Sequence, residues 1–168
     1  MKHIDNPLLQ DEILPSFAAI RPEHVEPAIT TIIEENLRAI EVLVQQEQQD
    51  WQTLVQPLHN LNDRLEKAWA PVSHMNAVVQ DDELREAHDT CLAKLSDYHT
   101  KIGQHRGLCS AYRRIRDDES FSLFSTAQKK VIDNALRDFR LSGIELDDAS
   151  QRRFSEISAR LSELASLF

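Results

Sequence analysis

Glycine is scarce in this 168-residue chain: there are three, Gly103, Gly107 and Gly143, all beyond residue 100. A glycine-rich phosphate cradle and a Gly-x-Ser-x-Gly nucleophile elbow are excluded, because each needs closely spaced glycines to bring backbone near a ligand or to turn sharply. Proline is confined to the other end, with all six before residue 72. Few breakers over so long a chain suit long helices. Cysteine is limited to Cys91 and Cys109, with seventeen residues between them and no C-x-x-C, which supports neither a disulfide framework nor a redox motif. No run approaches the roughly 18 to 20 apolar residues of a bilayer crossing. Met1 to Pro7 carries charge and a proline where a secretory signal needs an apolar run of about 7 to 15 residues. The expectation is a cytoplasmic protein without membrane association. Positive charge is also in deficit, 19 Lys and Arg against 28 Asp and Glu for a net −9. That balance repels a phosphate backbone and argues against a nucleic-acid partner.

What is present suits a folded core. Hydrophobic residues make up 41% and charged residues 28%, outside the signature of disorder, and a chain this long buries roughly two thirds of its unfolded surface without staples. Residues 1–22 lack a sustained period and read as an extended N-terminal arm whose apolar side chains, Leu8, Leu9, Ile13, Leu14, Phe17 and Ile20, pack onto the body. From Pro22 the apolar steps become three and four residues, through Val25, Ile29, Ile32, Leu37, Ile40 and Val44, the mark of an amphipathic helix. The pattern predicts an all-α, multi-helix antiparallel bundle, with helices near residues 23–48, 54–70, 82–103, 126–141 and 148–168. A further turn or two is expected over 72–79, and a short helix around Leu108, Tyr112 and Ile115. Pro71 closes the second helix in this reading. Asp81, Ser125 or Thr126, and Asp147 are the expected N-caps, and Gly143 a left-handed C-cap. The last stripe, Phe154, Ile157, Leu161, Leu164 and Phe168, is still running where the sequence stops. The expectation is that these residues are the front of a longer protein; the alternative is a helix that docks its end into this domain.

Seven histidines invite a search for metal ligands, but no H-E-x-x-H sets two imidazoles and a general base on one helical face. His105 and Cys109 stand at i, i+4 with His99 upstream, and Gly107 interrupts the pair. His88 falls on an apolar stripe, where a hydrogen-bonded boundary histidine is the plainer reading than a ligand. Arg113, Arg114 and Arg116 are followed at once by Asp117, Asp118 and Glu119, so their field is expected to be cancelled locally, leaving a solvated surface rather than an anion site. Trp51 and Trp69 lie on apolar stripes and read as core anchors. No catalytic, cofactor-binding or metal-ligating residue is assigned.

Several blocks carry a likeness to a known family. Asn6-Pro-Leu-Leu9, Leu14-Pro15 with Phe17 and Ile20, Pro22-Glu-His-Val25 and Pro27-Ala-Ile29 resemble the opening of bacterial members of the thimet oligopeptidase family of zinc metallopeptidases. Pro71-Val-Ser-His-Met-Asn76, Glu83-Leu-Arg-Glu-Ala87, Gly103-Gln-His105, Asp133-Asn-Ala-Leu-Arg-Asp-Phe139, Leu141-Ser-Gly-Ile144 and Arg160-Leu-Ser-Glu-Leu164 continue it in order along the chain. The resemblance implies a cytoplasmic zinc endopeptidase that cleaves short peptides in a deep channel between two largely helical halves. Residues 23–168 would then be its helical N-terminal domain, cut before the catalytic domain, with that domain as partner and zinc as cofactor of the parent enzyme. The family's H-E-x-x-H helix, third zinc-binding glutamate and substrate-binding tyrosine and histidine residues lie downstream of the matched region, so the resemblance implies no ligand role for His24, His74 or His105. It implies that the chain supplies part of the channel wall and is inactive alone. The alternative is a stand-alone helical module that offers an apolar groove to a partner helix.

Overall fold

A computed structural model describes residues 6–12, 14–79 and 81–166. Six α-helices, α1 (Pro22–Val44), α2 (Gln56–Val78), α3 (Asp82–Gly103), α4 (Arg106–Asp117), α5 (Thr126–Leu141) and α6 (Asp148–Ser166), are joined by short 3-10 turns and one π-helical turn at Trp51–Val55. No strand occurs among the described residues, so the chain is all-α as its period predicts. Ile13, Phe168 and Met1 to Asp5 lie outside the described residues.

The caps act as local chemistry dictates. Asp81 accepts from the Leu84 amide, Ser125 and Gln128 form a reciprocal box at the start of α5, and Asp147 Oδ1 accepts from the amides of Ala149 and Ser150. Each supplies an acceptor to backbone N–H groups that a helix start leaves unpaired. Gly143 follows α5 with φ +81°, the left-handed conformation that an L side chain resists.

Three expectations need correction. The first helix ends at Val44 rather than near residue 48, because Gln49 Nε2 donates to the Val44 carbonyl and Asp50 opens a new capped turn by accepting from Gln52 and Thr53. The second helix does not stop at Pro71 but runs to Val78. A proline inside a helix costs about 3 kcal/mol; here Ala68, Pro71 and Val72 are all buried, and the burial of these side chains offsets the lost hydrogen bond. The segment 72–79 is the end of α2, not a separate helix. In the arm, Leu8 and Ile20 are buried and Leu9 is half-buried, but Leu14 is 76% and Phe17 43% exposed. Among the described residues the arm is held by Asn6 Nδ2 donating to the His24 carbonyl, by Leu8 and Ile20 in the core, and by Phe17 packed edge-on against His74 of α2.

Two apolar cores lie along the bundle. One gathers the arm, the first half of α1, the second half of α2 and most of α3, around Ile29, Ile32, Leu65, Val72, Leu84 and Leu95. The other joins the far ends of α1 and α2 to α4 and α5, around Ile40, Leu58, Leu108, Tyr112, Ile132 and Phe139. Helices α1 and α2 thread both, in opposite directions. Contacts between α1 and the α3–α4 segment advance together in sequence, Glu26 with Lys94, Asn36 with Tyr98 and Glu41 with His105. Hence α1 and α3 run parallel, and α2 lies antiparallel to them.

Between the cores sits Asn36, fully buried, donating from Nδ2 to the Leu61 carbonyl (3.2 Å) and to Tyr98 Oη (3.3 Å), with no partner for Oδ1. Its spacing from Ile29, Ile32 and Ile40 places it on the buried face of α1, a signal that the sequence carried.

Candidate functional surface

The residues singled out by sequence do not converge on a reaction centre. His105 is the N-cap of α4: its Nδ1 accepts from the Leu108 amide at 3.0 Å, and its Nε2 meets Glu41 Oε1 at 3.1 Å. Both ring nitrogens are engaged by protein. Cys109, one turn on, is buried, and desolvation pushes its thiol up. His99 lines the groove on the other side of α3. No group of three or more His, Cys, Asp or Glu side chains able to hold a metal ion converges among the described residues.

His88 is 8% exposed, stacked on Trp69 at 4.8 Å with Nδ1 near Asp89 Oδ1, the boundary role its stripe suggested. Trp51 and Trp69 are half-buried, and each packs against one of the two cores as its stripe suggested. Trp51 packs edge-on against Phe124, and Trp69 needs one face for His88.

Two of the three clustered arginines pair with carboxylates other than their sequence neighbours, and the third donates to a neutral amide. Arg113 pairs with Glu145 at 3.1 Å and Arg116 with Asp133 at 2.8 Å, while Arg114 Nε donates to Gln49 at 3.1 Å. Asp118 instead caps the turn after α4 by accepting from the Ser120 amide. The surface is solvated and balanced, as expected, but the balance comes from across the fold.

The buried ionisable groups are set for packing. Desolvation pushes Cys91 up to about 11 and Tyr112 up to about 12. Tyr98 is raised by the same cause, with the Asn36 hydrogen bond opposing it. A thiol or phenol so raised is neutral near pH 7 and is neither nucleophile nor general base there.

Concave surface lies elsewhere. A cavity of about 730 Å³ separates the arm from α2, lined by Leu8, Leu9, Phe17, Ala68, Pro71 and His74. A groove of about 610 Å³ runs between α2, α3 and α6 along Leu65, Trp69, Leu92, Leu95 and Phe154. It continues past Glu66, His99 and Ser142 into a further 410 Å³ over Tyr98, Tyr112 and Phe139.

Helix α6 forms one wall of that groove and packs along α3. Among the residues whose burial is described, its half-buried ones are Ser150, Gln151, Phe154, Ser155, Ser158 and Ser162, so a largely serine-bearing face meets the bundle. Ile157, Leu161 and Leu164, at i, i+4 and i+7, share another face. They remain 46%, 62% and 36% exposed. At 3.6 residues per turn the two faces are roughly a third of a turn apart. Gln151 Nε2 fixes the start of the helix by donating to the carbonyls of Gly143 and Ile144.

Comparison with known proteins gives these surfaces a context. Residues 27–151 match the model of the neurolysin/thimet oligopeptidase N-terminal domain. The chain is 48% identical over 165 residues to oligopeptidase A of Haemophilus influenzae, covering 98% of this chain and 24% of that protein. It is 47% identical over 164 residues to oligopeptidase A of Escherichia coli, covering 97% and 24%. Organellar oligopeptidase A of Arabidopsis thaliana is 30% identical over 163 residues, covering 97% and 21%. The chain thus spans about a quarter of the length of the curated relatives it matches.

Proposed function

The chain belongs to the neurolysin/thimet oligopeptidase family, and on that premise we propose that it serves as the N-terminal helical part of an oligopeptidase A-like zinc metalloendopeptidase acting on short peptides in the cytoplasm. The observation that carries this reading is the near-complete match to oligopeptidase A, 97–98% of the chain at 47–48% identity. It takes in both apolar cores and every helix. A protein called "probable cytosolic oligopeptidase A" is among the relatives, in keeping with the compartment proposed.

In this role the chain contributes shape. Peptide hydrolysis in this class needs a metal to lower the pKa of water and a carboxylate placed to take its proton. We assign both to residues outside these 168, because His105 is engaged at both nitrogens and the buried thiols and phenols are neutral. The bundle stands as part of one wall of a channel whose narrowness favours short, flexible peptides over folded proteins.

The test is zinc analysis after dialysis and turnover of an internally quenched peptide, on the 168-residue chain and on the full-length polypeptide that carries it. Zinc-dependent turnover by the long form alone is the expected result. Stoichiometric zinc with metal-dependent turnover by the 168-residue chain would overturn the assignment, and a long form without peptidase activity would overturn the function. The latter result would leave a helical interaction module in its place.

A further inference from the structure

Resting on the reading of the chain as part of a longer peptidase, we propose that Ile157, Leu161 and Leu164 of α6 form the docking surface for the polypeptide that follows this segment in oligopeptidase A-like proteins. The helix turns a serine-bearing face to α3 and leaves its apolar stripe in water. This inverts the usual arrangement of an amphipathic helix, whose apolar stripe faces the core. Arg153 and Arg160 border the stripe, and each is held by a carboxylate one turn on, Glu156 at 2.9 Å and Glu163 at 2.6 Å. The rim is therefore balanced within the helix, and the stripe asks for an apolar partner rather than a charged one.

Size selects the occupant. From their exposures, the three side chains offer on the order of 200 Å² of apolar surface, well short of the roughly 800 Å² that each partner contributes to a standard interface. A second copy of the chain gains too little there to offset the freedom lost on association. A covalently continuous segment loses far less, because linkage makes the contact intramolecular. The curated relatives extend through about three times as much polypeptide as the part matched here.

Thiol labelling tests the proposal, since Cys91 and Cys109 are buried and a Leu161→Cys variant presents a single accessible thiol in the 168-residue chain; in the full-length polypeptide its labelling is read at that position by peptide mapping. The variant is made in the 168-residue chain and in the full-length polypeptide, with Arg152→Cys, on the opposite side of α6, as control. Maleimide labelling at Leu161→Cys at least tenfold slower in the long form, with Arg152→Cys reacting equally in both, is the expected result. Equal labelling of Leu161→Cys in the two forms overturns the docking, and so does equal protection of both positions. Protection within the 168-residue chain that grows with its concentration assigns the face to a second copy and also overturns it. Peptide turnover by the long form is read separately: an active enzyme with Leu161→Cys unprotected refutes the docking alone, and a protected but inactive one refutes the peptidase reading alone.

Discussion

Replacing Gly103 by alanine tests how closely α3 and the α5–α6 turn approach. A Cβ at Gly103 falls 2.5 Å from both Cβ and Oγ of Ser142, and ordinary contact begins at 3.4 Å, so the two segments must part by about 0.9 Å. Rotating the Ser142 side chain moves Oγ but not Cβ, so the strain cannot be relieved by a rotamer change. Overpacking of this kind costs ~1–3 kcal/mol. Alanine regains at most the ~0.5–1 kcal/mol that it gains over glycine inside a helix, which leaves a net loss of about 1 kcal/mol at the middle of these ranges. Movement of Ser142 also strains the bond from Gln104 Nε2 to the Ser142 carbonyl, 3.2 Å long. Urea unfolding followed by circular dichroism should show a lowered midpoint for Gly103→Ala with an unchanged slope. Ser142→Gly removes both clashing atoms at a cost of its own of ~0.5–1 kcal/mol in backbone freedom. The double variant should therefore be more stable than the sum of the singles by at least about 1 kcal/mol, the coupling expected of residues in contact. A Gly103→Ala protein as stable as the parent, or a double variant that is merely additive, would refute the close approach.

The other expectations concern charge, thiols and the last helix. Hydrogen bonds hold the carboxyls of Asp50, Asp118 and Asp147 below the usual range, mainly from Thr53, Ser120 and Ser150. A depressed folded-state pKa adds stability that is present above about pH 4 and lost as pH falls through the folded value, so Asp50→Asn with Asp147→Asn should flatten the acid limb of a urea-midpoint profile below pH 4. Cys91 and Cys109 are buried with raised thiol pKa values, so an aromatic disulfide reagent at pH 8 should titrate almost no thiol in the native chain and two per chain in urea. In α6, the exposure of Ile157, Leu161 and Leu164 forgoes about 5 kcal/mol that a partner covering them would supply. Amides of 157–164 should exchange faster than those of α3, and sedimentation across a concentration series should show a monomer at micromolar protein.

How much of this was legible in the sequence depended on the range of the interaction. Asp81, Ser125, Asp147 and Gly143 were readable as caps because each acts on backbone within about four residues, and α3 and α5 have the bounds their apolar periods predicted. Pro71 was misread because a local rule, that proline ends helices, was overridden by its burial in the core. Asn36 stood on a readable face of α1, but the Leu61 carbonyl and Tyr98 hydroxyl that meet it lie 25 and 62 residues away. Arg113 and Arg116 were read as balanced by their neighbours, and their counter-charges are Glu145 and Asp133.

The candidate surface divides in the same way. Sequence by itself determined the all-α class, the helical register of Ile157, Leu161 and Leu164, and the likeness to the oligopeptidase family, because periodicity and ordered motif blocks are properties of the chain. Whether that stripe faced the bundle or the solvent was decided only by the tertiary structure. The close packing of Gly103 on Ser142 and the left-handed turn at Gly143 set how α6 meets α3. That geometry rotates the serines inward and leaves the leucines facing water, an outcome that rests on contacts between helices distant in sequence.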